Sequence, residues 1–373
     1  MPDVVVVGAG PVGTLLSAEL VRRGVDVAVV ERRRDPAAGS RAIGIHSPVL
    51  AALEASGVTG RLLAGACRVR AGEARSGGVL LGVVRFDRLS RRFPFVATLP
   101  QADTRAALAV DAPAPIFGEV ASVHANPPRV VYRDDSGVHE LAARVVVVAA
   151  GPRSRDLLYR PGAVRVQRYP DRYVMADIPA DRGADAVVHL DRSGVLESFP
   201  LPGGIRRFVA PGPDDLSDAG RRATVLRNAL TARGLVAEAS AVDAADGFEI
   251  RRSLAPRLRR GPVIAIGDLV HEVSPMGGQG MNLGLLDAVT HAPLLAAWIR
   301  TGEAPEHALR RWERRRLSSA RISGAIATGN TLLGRPAAAA PNAVRAGVLR
   351  GALATPAARL LAHTYAMGFD RDA

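Results

Sequence analysis

Apolar positions along the chain form short, nearly continuous runs as well as spaced patterns. Residues 4–7, 144–149 and 263–266 contain almost no polar residues, which is typical of strands that are buried on both faces of a parallel sheet. Residues 101–110 instead have helical spacing, with Leu108 on the inward face. The pattern therefore predicts an α/β fold in which helices cover a parallel sheet.

The middle of the chain has a different pattern. Short strands are predicted at residues 173–177, 186–190, 195–199 and 206–210, and the turn Pro202-Gly203-Gly204 joins two of them. Closely spaced strands with tight turns predict a second, mostly antiparallel sheet. The apolar run at residues 263–266 returns only after this region, so the parallel-sheet domain is interleaved with the second domain.

We predict three regions from these patterns. From Asn282 onward the chain is expected to be helical, with breaks at Pro305, residues 334–336 and Pro341. The predicted boundaries are 1–68, 98–160 and 253–300 for a discontinuous Rossmann-like domain, 69–97 and 161–252 for a smaller β-rich substrate domain, and 301–373 for a C-terminal helical region.

Composition excludes several kinds of chemistry. The 373 residues are 48% hydrophobic and 23% charged, and the net charge of +13 comes entirely from arginine because the chain has no lysine. A lysine Schiff base and a P-loop lysine are therefore excluded. Aromatic residues make up 4% and no nucleic-acid recognition motif is present, so we expect no nucleic-acid partner.

Cysteine usage and hydropathy bear on the compartment. Cys67 is the single cysteine, which rules out an intrachain disulfide and a cysteine metal cluster and fits a reducing cytoplasm. No apolar run reaches the ~18 residues of a membrane span, and Asp3 followed by an immediate glycine turn argues against a signal peptide. We expect a cytoplasmic monomer or homodimer without a metal site.

The first glycine-rich turn predicts a dinucleotide site. Four valines lead into Gly8-Ala9-Gly10-Pro11-Val12-Gly13, a helix follows, and the next apolar strand ends on Glu31. In such a βαβ unit the first glycine makes the tight turn, the second lets a diphosphate approach, and the third lets helix and strand pack closely. Glu31 lies at the offset of about 20 residues that is expected of an acid binding ribose hydroxyls.

A second constellation follows the strand at residues 263–266. It comprises Gly267-Asp268 and His271, then residues 274–282, then Asp287-Ala288. The strand end places the Asp268 carboxylate at the edge of the sheet where ligands bind in open α/β folds. The glycine-rich loop then opens a helix and presents backbone N–H groups to an electron-rich partner.

Together these two stretches resemble the class A flavoprotein monooxygenases, the FAD-dependent aromatic hydroxylases typified by p-hydroxybenzoate hydroxylase. The second FAD motif of that family is similar: G-D, then H, then P, then G-x-G-x-N, then D-A. The resemblance implies that Asp268 binds the ribityl hydroxyls and that Pro275 lies beside the isoalloxazine. It also implies that backbone N–H groups near Met281 and Asn282 face the flavin, where they would stabilise its reduced anion.

The resemblance extends over most of the chain. Arg41 resembles an arginine that reaches the FAD phosphates, and Gln101 begins a helix whose first residue contacts the flavin. In full, the residues expected to bind FAD are Gly8, Gly10, Gly13, Glu31, Arg32, Arg41, Gln101, Val120, Asp268, Pro275, Gly278, Gly280, Met281 and Asn282.

The implied function is hydroxylation of an aromatic or polyketide-derived phenolic small molecule. The resemblance implies that O2 and NADPH or NADH are used, through a flavin C4a-hydroperoxide. Because the flavin carries this chemistry, a side-chain base would act only on the substrate. Candidates for that base are His46 and Tyr173, with His189 and His271 as further titratable residues.

Departures from the family pattern keep other activities open. Alanine at position 150 replaces the aspartate of a middle motif that serves FAD and NAD(P)H, and Leu157 replaces its arginine. Alternatives are a flavoenzyme of the same fold that performs epoxidation, Baeyer–Villiger or plain oxidation, and a non-redox protein that retains FAD around a binding or cyclisation pocket. A halogenase is disfavoured, because it would use a lysine.

Overall fold

The computed structural model describes residues 1–35 and 42–370. Within them, helices and strands alternate through the first third of the chain, strands dominate the middle, and helices dominate the end. The helices are α1 Pro11–Val21, α2 Ser47–Ala52, α3 Val58–Ala64, α4 Gln101–Ala109, α5 Ala219–Thr231, α6 Val236–Ser240, α7 Gly280–Thr301, α8 Glu306–Leu333, α9 Ala339–Leu353 and α10 Ala357–Tyr365.

Four sheets are built from the strands of the described residues. The strands are β1 Val4–Val7, β2 Val27–Glu31, β3 Gly44–Ile45, β4 Cys67–Val69, β5 Ala71–Ser76, β6 Val79–Arg85, β7 Val96–Thr98, β8 Ile116–Phe117, β9 Glu119–Ala125, β10 Pro128–Asp134, β11 Gly137–Ala142, β12 Val145–Val148, β13 Val166–Pro179, β14 Ala186–Asp191, β15 Gly194–Leu201, β16 Ile205–Pro211, β17 Asp246–Leu254, β18 Arg259–Arg260, β19 Val263–Ala265 and β20 His271–Glu272.

The first sheet has the order β18-β19-β12-β1-β2-β8 and is parallel except at the β18–β19 edge. Val4 pairs with Val27 on one side and with Val145 on the other. Helices cover the sheet, and Leu16 of α1 and Leu286 of α7 belong to its core. Valine suits the central strands because its branched side chain packs well on a pleated surface that is buried on both faces.

The second sheet has eight strands in the order β20-β17-β13-β16-β15-β14-β5-β6. All its pairs are antiparallel except β14 with β5. Side chains on one face, such as Leu196 and Phe208, form a core with Leu226 and Leu230 of α5. The opposite face carries Met175, Val195 and Val209, and it forms one wall of a large cavity.

The α/β fold class, with a parallel sheet and a mostly antiparallel one, is confirmed. The return of the chain to the first sheet is also observed, because β19 pairs with β12 after the whole of the second sheet has been formed. The precise domain boundaries stay a prediction. No helix of residues 1–35 and 42–370 has both the length and the apolar character that crossing a membrane requires.

The sequence also predicts a helix over residues 48–56 that is stopped by Gly57. The observed helix α2 ends earlier, at Ala52, and Gly57, which has a φ of +73°, lies between it and α3. One local prediction is wrong. Pro341 was expected to break the helical region but lies in the first turn of α9. Backbone N–H groups in a first turn have no partner within the helix, so proline costs little there.

Candidate active site

A single cavity of about 690 Å³ connects the two large sheets. One end is lined by the glycine turn after β1 and by the loop before α7, and the other end by the second face of the eight-stranded sheet. Gly10 and Val209 line the same continuous space. The cavity therefore joins the predicted cofactor site to an apolar chamber.

The turn after β1 requires glycine at two positions. Gly8 has a φ of +103°, and a Cβ there would lie 2.8 Å from the Ala149 carbonyl oxygen. A Cβ on Gly13 would lie 1.9 Å from the Gly8 carbonyl oxygen. Gly10 has open space instead, with nothing within 4 Å of a Cβ. The turn thus leaves a cradle at the N-terminus of α1, where a helix attracts anionic groups.

Glu31 closes this cradle at the end of β2. Its Oε2 accepts a hydrogen bond from the Ala9 backbone N–H at 2.7 Å, and its Oε1 accepts one from Arg33 N–H at 2.9 Å. The next residue, Arg32, donates to Glu119 at 3.2 Å and also lines the cavity. Glu31 is therefore held by backbone donors beside the glycine turn.

A second glycine turn lines the same cavity. Gly277 and Gly278 have φ values of +104° and +67°, and α7 begins two residues later without a side-chain cap. The side chain of Asn282 fixes this loop. Its Nδ2 donates a hydrogen bond to the Gly278 carbonyl at 2.9 Å, and its Oδ1 accepts one from His46 N–H at 2.8 Å. Asn282 is fully buried, so its side chain positions the loop.

Most of the residues expected to bind FAD line the cavity. Gly13 and Asn282 do not line it and instead act by packing and hydrogen bonding, and Arg41 lies outside the described residues. Those that line it are Gly8, Gly10, Glu31, Arg32, Gln101, Val120, Asp268, Pro275, Gly278, Gly280 and Met281.

The features of this half of the cavity fit FAD. Two glycine cradles lie at the N-termini of α1 and α7, and neither helix has a side-chain cap or an acidic residue in its first turn. The carboxylates of Glu31 and Asp268 line the space between them, and carboxylates suit ribose and ribityl hydroxyls. Among the described residues, no cluster of three or more histidine, cysteine or acidic side chains could hold a metal ion.

His46 lies at the junction of the cavity's two halves. It is 4% exposed and lines the cavity close to Gly278. Neither ring nitrogen makes a well-formed hydrogen bond to the described residues, although the backbones of Gly277 and Gly278 are close enough to oppose a lowering of its pKa. Burial lowers the pKa of His46 to about 4, because the charged imidazolium loses its hydration. The side chain is therefore neutral at pH 7.

Tyr173, the other candidate base, is not among the described residues that line the cavity. Its ring stacks on Phe248 with centroids 5.7 Å apart and is 2% exposed. Burial raises the pKa of Tyr173 well above its ordinary value. The structure thus gives it a packing role in the β13–β17 pair, and we do not retain it as a base.

A buried charge network supports the Gly267-Asp268 turn. Asp287 accepts hydrogen bonds from Gly267 N–H at 3.0 Å and from Arg316 Nε at 2.8 Å, and it contacts His271 Nε2 at 2.6 Å. Arg316 also donates to Asp370 at 2.7 Å. Although burial opposes ionisation, His271 and Arg316 hold the pKa of Asp287 at about 2. His271 is therefore structural.

One polar residue of the apolar chamber was not found from the sequence. Glu197 lies on β15 between Val195 and Phe199, which point to the same face of the sheet and also line the cavity. A signal existed, because strand alternation places residue 197 on the apolar face. Burial raises the pKa of Glu197 to about 7.

Comparisons with known proteins agree with this geometry. The model of the FAD binding domain family matches residues 1–323. The chain is 30% identical over 367 residues to 6-methylpretetramide 4-monooxygenase of Streptomyces rimosus, covering 93% of this chain and 65% of that protein. It is also 30% identical over 340 residues to a rifampicin monooxygenase of Rhodococcus hoagii, covering 85% of this chain and 68% of that protein.

The fold matches a solved enzyme along its whole length. The crystal structure of p-nitrophenol 4-monooxygenase from Pseudomonas putida superposes with a TM-score of 0.88 at 23% identity, covering 100% of this chain and 99% of that one. This chain spans about two thirds of the length of the two curated relatives above. With the family model, the relatives and the two-cradle cavity in agreement, the chain belongs to the FAD binding domain family.

Proposed function

We propose that this protein is an FAD-dependent monooxygenase that hydroxylates an aromatic or polyketide-derived phenolic small molecule, using O2 and NADPH or NADH. The observation that carries the proposal is the continuity of the cavity, which places an apolar chamber next to the cofactor cradles. The names of the relatives, which describe monooxygenases acting on pretetramide and rifampicin, support a multi-ring substrate.

The chain's own residues would hold the cofactor at both ends. Backbone N–H groups at the Gly8–Gly13 turn would bind the diphosphate, and Glu31 would bind the adenosine ribose. Asp268 would bind the ribityl chain. The loop at Gly277 and Gly278 would present backbone donors to the flavin ring, where fixed dipoles stabilise developing negative charge.

FAD, when bound, supplies the transfer of electrons from NAD(P)H and the activation of O2. The protein's part is to orient the substrate's ring and to exclude water from it. Val188, Val209 and Leu349 line the chamber from the sheet and from the C-terminal helices, so this half of the cavity has apolar walls. His46, which remains neutral above its pKa of about 4, would offer a hydrogen bond at the junction rather than act as a strong base.

Oxygen incorporation tests the proposed activity. The purified protein is incubated with FAD, NADPH or NADH, a panel of phenolic polycyclic compounds and ¹⁸O2, and the products are analysed by mass spectrometry. A product that gains one labelled oxygen atom on an aromatic ring supports hydroxylation. Label in an epoxide or a lactone would instead identify epoxidation or Baeyer–Villiger insertion. Oxidised product without label would identify plain oxidation.

A non-redox role is tested by the same preparation. Ala150, Gly151 and Leu157 line the cavity, and they occupy the positions where the resemblance implies a motif that serves FAD and NAD(P)H. If the protein binds FAD but neither nucleotide reduces it with any member of the panel, a binding or cyclisation role replaces the proposed one. The proposal also places the enzyme in the cytoplasm, where NAD(P)H is available, as a monomer or homodimer.

A further inference from the structure

Glu197 lies in the centre of the sheet face that forms the floor of the apolar chamber. Its cross-strand neighbours are Val188 on β14 and Val209 on β16. The row continues to Ala74, which pairs with Val188, and to Met175, which pairs with Val209. All five residues line the cavity, so the floor is an apolar row with one carboxylate at its middle.

A second wall of the chamber comes from the three C-terminal helices and is also mainly apolar. Helix α8 contributes Asn330, whose side chain receives a hydrogen bond from Tyr365 of α10 at 2.7 Å. The apolar lining residues of these helices are Leu333, Leu349, Leu353 and Leu361. A ligand between wall and floor would therefore meet hydrocarbon on most sides.

The Glu197 carboxylate makes no hydrogen bond or ion pair within residues 1–35 and 42–370. Nearby charges on the same sheet differ from it in this respect. Arg207 pairs with both oxygens of Asp177 at 2.6 and 2.7 Å, and Glu73 pairs with Arg75 at 2.7 Å. A carboxylate surrounded by apolar groups is costly unless a partner satisfies it. Glu197 is thus a polar group in place for a partner that the described part of the chain does not provide.

The other titratable groups around Glu197 do not neutralise it. Tyr173 of β13 and Tyr365 of α10 are close enough for the Glu197 charge to raise their pKa values, in addition to the larger effect of burial. Arg335, beyond Tyr173, is bound by Asp171 at 2.7 Å. Burial alone accounts for the raised pKa of Glu197, about 7, so the carboxyl group titrates near neutral pH.

We propose that Glu197 recognises the polar substituent of the substrate, and that the substrate is an uncharged, extended aromatic compound whose hydroxyl group donates a hydrogen bond to this carboxylate. The inference rests on the proposed function, because it assigns the substrate class of the same cavity. A carboxylate on the substrate is disfavoured, because it would bring a second negative charge to an apolar floor that already holds one. A donor-free aromatic would leave the Glu197 carboxylate unsatisfied.

Three ligands of similar size separate these possibilities. They are 2-naphthol, which has an O–H donor, 2-methoxynaphthalene, which keeps the oxygen without the donor, and 2-naphthoate, which is anionic. Binding to the oxidised FAD-loaded protein is measured by calorimetry at pH 8, where Glu197 is ionised. We expect the dissociation constant of 2-naphthol to be about ten-fold lower than that of either other ligand.

Variants assign the difference to Glu197. Glu197→Gln should weaken 2-naphthol binding about ten-fold and leave 2-methoxynaphthalene binding within about two-fold. The control Glu140→Gln removes a carboxylate from β11, outside the cavity, and should change the affinity for neither 2-naphthol nor 2-methoxynaphthalene. Between pH 6 and 8 the 2-naphthol affinity of the unaltered protein should rise about ten-fold, while that of Glu197→Gln stays flat. If Glu197→Gln fails to fold, Glu197→Leu replaces it and should favour 2-methoxynaphthalene.

Several results would overturn the assignment. They are equal affinities for 2-naphthol and 2-methoxynaphthalene, preference for 2-naphthoate, absence of 2-naphthol binding, or a Glu197→Gln variant that binds like the unaltered protein. Failure of the proposed function is visible separately, as a protein that takes up no FAD. A protein that binds FAD and 2-naphthol through Glu197 but incorporates no oxygen would keep this inference while the monooxygenase proposal fell.

Discussion

At single residues, the site depends on positions where adding or removing one group changes whether the turn or the cavity keeps its structure. Gly8 and Gly13 are in contact across the first turn, and their close approach brings α1 against β1. The spacing of the glycines was enough to predict that they allow a tight turn and close packing of helix and strand, because each position in such a turn has its own steric requirement. Glu197 could not be singled out in the same way, since its isolation depends on neighbours from distant strands.

Gly13→Ala should damage both folding and cofactor binding. The added methyl group would lie 1.9 Å from the Gly8 carbonyl oxygen, so the turn must shift, and overpacking of this kind lowers the unfolding free energy by about 1–3 kcal/mol. Urea unfolding and the flavin content of the purified protein measure the two effects. Gly60→Ala is the control, because Gly60 lies in α3 with nothing within 4 Å of a Cβ. Equal behaviour of the two variants would contradict the role given to the turn.

The raised pKa of Glu197 predicts a pH-dependent stability. The folded protein holds the Glu197 proton up to a pH of about 7, whereas the unfolded chain releases it at the ordinary carboxyl value. The stability contributed by this group is therefore full at low pH and falls as pH rises toward 7. As the pH rises from 5 to 8, the unfolding free energy of Glu197→Gln should therefore increase by about 2–3 kcal/mol relative to that of the unaltered protein. A difference in unfolding free energy between the two proteins that does not change with pH would contradict the raised pKa of Glu197.

At the scale of elements, the glycine loop before α7 is supported from several directions. Asn282 holds the loop to residues 44–46, and Asp287 holds the Gly267 turn. Arg316 then joins α7 to α8 and to Asp370. The strands themselves were predictable from their apolar runs and turns. The early end of α2 at Ala52 was not, because residues 53–56 are all compatible with a helix that continues to Gly57.

Arg316→Met should destabilise the protein strongly. The variant would leave the buried carboxylates of Asp287 and Asp370 without their arginine, and such uncompensated charges cost about 3–5 kcal/mol. The control is Arg310→Met, on the same helix. Chemical unfolding and the flavin content of the two variants test the expected loss of stability. Arg310 is exposed and pairs with Glu306, so its loss should change stability by less than about 1 kcal/mol. A loss confined to Arg310→Met would refute the role of the network.

At the scale of the whole molecule, one cavity joins two sheets that form from interleaved segments. Ala74, Val188 and Glu197 become neighbours only through the register of β5, β14 and β15. Sequence patterns predict each strand and its faces, but they do not contain the order of the strands in the sheet. The cofactor half was therefore predictable from its motifs, whereas the substrate half had to be read from the structure. Tyr173 illustrates the difference, because Phe248 on the neighbouring strand covers it.

In the proposed function, FAD and an aromatic hydroxyl compound occupy the two halves of one cavity. The most direct test is the visible spectrum of the purified FAD-loaded protein during titration with 2-naphthol. If the two ligands share the cavity, the flavin absorbance bands should shift saturably as the aromatic ring binds beside them, and Glu197→Gln should move the midpoint to about ten-fold higher ligand concentration. A colourless protein, or a flavin spectrum that stays unchanged while calorimetry reports bound 2-naphthol, would show that FAD and the aromatic compound do not share the cavity.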